Sequence, residues 1–77
     1  MKNKVSRSIE APGGMICVDI FQRPDRSWGF EEYRREPEDG SGWFRTGYFG
    51  DQILRSEALA LEAAIHQVAW LQSVLDE

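Results

Sequence analysis

The run ALALEAAIHQVAW, residues 58–70, decides how this chain is read. Its alanine and leucine content favours helix, yet its thirteen residues hold one formal charge, Glu62. Placed at about 100° per step, Leu61, Ala64, Ile65, Val68, Leu71 and Leu75 fall on one broad stripe, with Ala58 and Ala69 at its margins. Spacings of three, four and seven are those of a helix resting on a sheet, so this stripe is the expected core.

About half a turn away, Leu59, Ala63, His66, Trp70 and Val74 form a second line, bordered by Glu62 and Ser73. A helix apolar on two sides normally has something against both. Leaving Leu59, Trp70 and Val74 in water forgoes about 1.5–3 kcal/mol for each large side chain. Together that is comparable to the whole stability of a small domain. The second line is therefore the expected interface, and a homodimer the expected assembly, since most soluble oligomers are symmetric. On this reading Trp70→Glu weakens assembly. The competing reading is a wide monomeric core, with Trp70 folded over the sheet edge.

Ser56 supplies an N-cap for this helix, and Glu57 places a negative charge at the positive end of its dipole. Asp51 is a rival cap. From Ser56 the pattern runs to the end of the chain, about 30 Å of helix, with Asp76 and Glu77 expected to fray the last turn.

Upstream lie three β-rich runs. MICVDIF, residues 15–21, alternates Ile16, Val18 and Ile20 on one face with Met15, Cys17, Asp19 and Phe21 on the other. RPDRS follows as a turn, because Pro24 pre-sets its φ and Asp25 bonds nearby backbone. WGFEEYRR, residues 28–35, is the second expected strand and WFRTGYF, residues 43–49, the third, separated by the loop EPEDGSG. Neighbours such as Trp43 and Phe44 go to opposite faces, so some aromatics look away from a single covering helix. The expected fold is α+β: a three-stranded antiparallel β-meander followed by one long C-terminal helix packed on one face, β-β-β-α. Residues 1–13 are expected to form a flexible N-terminal arm, and residues 14–77 a single domain.

Size and composition agree with a domain that needs support. A chain of 77 residues buries only about 60% of the surface its unfolded form exposes. Cys17 is the sole cysteine and His66 the sole histidine, so one chain can build neither an internal disulfide nor a cysteine–histidine zinc site. Association is the support easiest to supply. The basic start, Lys2, Lys4 and Arg7, has no apolar stretch behind it, so neither export by a signal peptide nor a membrane span is expected, and a cytoplasmic location follows.

The net charge of −4 makes nucleic acid a poor default partner. The alternative reading is a small regulator or antitoxin-like protein that touches nucleic acid through Arg34, Arg35, Arg45 and the N-terminal arm. Those arginines share a sheet with aromatics, as in single-strand binders, although they also suit cross-strand pairing with Glu31, Glu32 and Glu36. Three strands followed by a helix is similar, in order alone, to the N-terminal domains of HicB-type antitoxins. Double-stranded-RNA-binding-like folds share that order but usually place a helix before the first strand. Neither likeness carries a motif that transfers a role to a residue here.

Catalytic signals are weak. Cys17 sits mid-strand without an electropositive setting, and His66 lacks an acid or nucleophile near it in sequence. Glu36, Glu38, Asp39 and Asp51 lack the rhythm of a calcium loop. The chain contains none of the nucleotide, metalloprotease or hydrolase motifs that spacing can reveal. The expectation is a non-enzymatic protein–protein interaction domain with no cofactor and no metal.

Overall fold

The computed structural model of the protein describes residues 2–36, 40 and 42–76. Along the chain run β1 (Lys4–Glu10), β2 (Ile16–Gln22), β3 (Trp28–Arg35), β4 (Trp43–Arg45), α1 (Glu57–Gln67) and α2 (Leu71–Leu75). The strands form one antiparallel sheet in the order β1-β2-β3-β4. The fold is α+β, but the described residues form four strands and two short helices rather than three strands and one long helix.

The added strand lies where a flexible arm was expected. β1, KVSRSIE, is an edge strand with only Ile9 buried, so it shows almost no apolar alternation. Its pairing with β2 shifts register between Val5 and Arg7, the signature of a bulge. A tight turn joins the two strands: Gly14 N–H donates to the Ala11 carbonyl at 3.0 Å. Pro12 and Gly13 fill its corners, and Gly13 has φ 95°, the left-handed value that glycine takes without a Cβ clash. That Pro-Gly pair was the available sign of a hairpin.

The β2–β3 connection, residues 23–27, holds a three-residue loop between Arg23 and Ser27. Arg26 N–H donates to Arg23 O at 2.9 Å, and Arg23 N–H to Ser27 O at 2.8 Å. Arg26 closes the turn at φ 74°, where hairpins of this length place a left-handed residue. β4 ends at Arg45 instead of Phe49, because Tyr48 turns to φ 56° and takes the chain out of the ladder. The chain returns at Leu54, which exchanges both backbone hydrogen bonds with Trp28 at 2.8 and 2.9 Å. The outer edge of β3 is thus paired at both ends and bulged between.

The helices cover one face of the sheet. Ile9, Val18, Ile20 and Phe30 from the strands meet Ala60, Ala64, Val68 and Leu71. Phe49 closes the side of this core by stacking on Phe30, with centroids 5.3 Å apart. Ser56 caps α1 through its Oγ, which accepts from Leu59 N–H at 3.1 Å. The fully buried positions of α1 are Ala60 and Ala64, with Leu61 and Ile65 only half-buried. The helix is therefore rotated toward Ala60 from the expected stripe, since two alanines allow close approach to the flat side of Ile20 and Phe30.

The expected single helix breaks at residues 68–70. Val68 turns extended, at φ −108° and ψ 102°, and Leu71 N–H donates back to its carbonyl at 3.1 Å. A straight helix of about 30 Å would overhang strands of about 23 Å. The break folds Trp70, Leu71, Val74 and Leu75 back onto the core.

Candidate functional site: the uncovered face of the sheet

Strand alternation sends a second set of side chains away from the helices. The register aligns Glu10 with Cys17, Cys17 with Tyr33, and Tyr33 with Arg45, so these four form one row across all four strands. Asp19 and Glu31 are opposite one another in the next row, with Ser8 beside Asp19. Arg35 and Trp43 pair at the other end.

Two adjoining hollows lie in this face. One, of about 180 Å³, lies among Val5, Asp19, Phe21, Glu31, Tyr33 and Arg45, among others. The other, of about 210 Å³, is lined by Ser8, Glu10, Cys17, Asp19, Tyr33 and Trp43. Asp19 and Tyr33 belong to both. Val5 is 52% exposed and Trp43 39% exposed, so apolar surface borders the hollows.

The floor is held by polar side chains. Glu31 is 1% exposed. Its Oε1 accepts from Phe49 N–H at 3.1 Å, and its Oε2 from Gly50 N–H at 2.7 Å. These are the backbone donors that the bulge beyond Tyr48 leaves without a strand partner. Arg23 ties the same loop to the β2–β3 hairpin, donating to Gly50 O at 2.6 Å, Gln52 O at 2.9 Å and Trp28 O at 2.9 Å. Its guanidinium also covers Phe21, 5.1 Å from the ring centroid. Gly29 permits that approach, because a Cβ there would stand 2.6 Å from Arg23 Nη2 and 2.9 Å from Phe21 Cζ.

Charge on this face is divided from side to side. Glu10 and Asp19 lie on β1 and β2, and Asp19 accepts from Ser8 Oγ at 2.7 Å. Arg35 and Arg45 lie on β3 and β4, stacked over Trp43 at 4.9 Å and Tyr48 at 5.4 Å. Burial pushes the Cys17 thiol up to about 11, with Asp19 and Glu10 adding to the shift. Burial likewise raises the Tyr33 phenol, again with Asp19 and then Glu31 contributing. Both groups are neutral at physiological pH, so Cys17 is a packing and hydrogen-bonding residue there and a poor nucleophile.

The residues singled out on the helix do not form one exposed line. Leu59 is 44% exposed and His66 is exposed. Ala63, Trp70 and Val74 are half-buried and pack against the core. Trp70 Nε1 donates to Glu32 Oε2 at 2.8 Å, joining the helical end of the chain to β3. The candidate nucleic-acid arginines are also divided. Arg34 pairs with Ile16 and Phe44 on the helix side of the sheet, whereas Arg35 and Arg45 lie on the uncovered side. Of the carboxylates weighed as cation ligands, Glu38 and Asp39 lie outside the described residues. Among the described residues no three His, Cys, Asp or Glu side chains are grouped to hold a metal, and no helix is long and apolar enough to cross a membrane.

The row Glu10, Cys17, Tyr33 and Arg45 was not foreseen as a site. The sequence singles out Arg45 from this row as a candidate nucleic-acid contact and marks the face by the alternation of Cys17, Asp19 and Phe21 opposite Ile16, Val18 and Ile20, whereas Glu10 belongs to a strand the pattern does not reveal. Comparison with protein-family models, curated proteins and solved structures returns no match.

Proposed function

We propose that the protein is a non-catalytic self-association domain whose contact surface is the uncovered face of the sheet, not the helix. The observation that carries this reading is the one-sided covering of the sheet. α1 and α2 occupy one face, while the other keeps the hollows around Tyr33 and the exposed apolar groups Val5 and Trp43. A chain this short has little core to spare, so burying that face in a second copy adds stability by mass action. Ala63, Trp70 and Val74 already pack on the chain's own core, which leaves the helix less to gain.

Molar mass by sedimentation, measured across micromolar to millimolar concentration, tests this reading. The mass is expected to rise toward twice the monomer value. Trp43→Glu is expected to suppress that rise, and Leu59→Glu to leave it unchanged. A mass that stays monomeric throughout, or one that responds to Leu59→Glu alone, overturns the proposal.

A further inference from the structure

Given that self-association reading, the row across the uncovered face has a property that specifies the geometry of the pair. Its order is acid, small, large, base: Glu10 on β1, Cys17 on β2, Tyr33 on β3 and Arg45 on β4. Reversed end for end, it is its own complement. We propose that two copies pack these faces together about a two-fold axis parallel to the strands and midway between β2 and β3.

Such an axis keeps each row at its own height and exchanges left with right. Glu10 then faces Arg45 of the second copy, and Cys17 faces Tyr33 of the second copy. The symmetry repeats each contact, so one row supplies two opposite-charge pairs at its ends and two small-against-large contacts at its centre. Glu10 and Arg45 are both exposed, which leaves them free to meet. Cys17 is 6% exposed at the floor, and its lack of bulk leaves room for a phenol ring. An aligned sheet-on-sheet packing of this kind is an ordinary arrangement of twisted sheets.

The neighbouring row limits affinity. There Asp19 lies over Glu31 of the second copy, a carboxylate only 1% exposed beneath Phe49 and Gly50. The repulsion is tempered because Ser8 Oγ and the N–H groups of Phe49 and Gly50 already bond these carboxylates. The area is also modest. Four strands about 4.8 Å apart and seven residues of about 3.3 Å give a footprint of at most about 440 Å² per copy, which belongs with weak, reversible interfaces.

Charge reversal on the full chain tests the register. Glu10→Arg and Arg45→Glu are each expected to weaken association about tenfold or more, because each converts both symmetric pairs into like-charge contacts. The double variant E10R/R45E restores attraction across the axis and is expected to return to within about threefold of the parent chain. Circular dichroism confirms that each variant is folded, as expected for exposed positions. A double variant as weak as the singles overturns this register, as do single variants that associate like the parent; neither result touches self-association itself. A parent chain that stays monomeric overturns both readings.

Discussion

Glu31 and Gly50 are joined through one carboxylate oxygen: Oε2 accepts the Gly50 N–H at 2.7 Å, because β4, which would have carried that backbone along β3, has already ended at Arg45. A side chain does here what a ladder hydrogen bond does elsewhere in the sheet. The uncovered face depends on it, because the loop so held forms one wall of the hollow beside Tyr33.

Removing that carboxylate exposes its value. Glu31→Ala leaves the Phe49 and Gly50 N–H groups without their acceptor and opens a cavity in a buried position, a loss of about 2–4 kcal/mol. Glu31→Gln keeps the shape but retains one accepting oxygen, so about 1–2 kcal/mol is expected. Urea denaturation of the three chains gives the ranking directly.

Arg26 offers the opposite effect. It is exposed and left-handed at φ 74°, so Arg26→Gly relieves the Cβ conflict against the extra entropy glycine loses. A net gain of about 0.5–1 kcal/mol is expected in a thermal melt. The adjoining Asp25 is held below the usual carboxylate range by the side-chain and backbone hydrogen bonds of Ser27. Its contribution is present above the ordinary carboxylate range and is lost as pH falls through the lowered value. Ser27→Ala should flatten that acid limb.

Cys17 should resist alkylation. With its thiol pushed up to about 11, little thiolate is present near neutrality and iodoacetamide reacts only as the sheet opens. The raised value also sets a sign: its stabilising contribution is complete below the ordinary thiol range and fades as pH rises through about 11. Alkylation at pH 8 as fast as in urea would contradict this.

Trp70→Phe separates packing from assembly. It removes the 2.8 Å bond to Glu32 while keeping much of the apolar contact, and about 1 kcal/mol of folding stability is expected to go. The association constant, measured well below the melting point, should stay as in the parent chain.

Much of this fold was legible in the chain itself. β2 and β3 declared themselves by β-branched and aromatic residues between turns, and Ser56 declared the start of α1. β1 did not, because an edge strand with a single buried residue, Ile9, needs no apolar repeat. Nor did the site, since Glu10 and Arg45 stand thirty-five positions apart in the sequence and share a row only through two intervening strands.

What the sequence determined alone were the local choices: where backbone prefers to extend, where Pro12 and Gly13 turn it, and where a hydroxyl caps a helix. Those follow from forces acting within a few residues. Tertiary structure decided how far the helix could run, which of its faces was buried, and which side chains share the open face. Each depends on the finite length of a sheet assembled from distant segments. The same apolar run, residues 58–70, bends at Val68, and the break brings Leu71 onto the core that Ala60 and Ala64 already share with the strands.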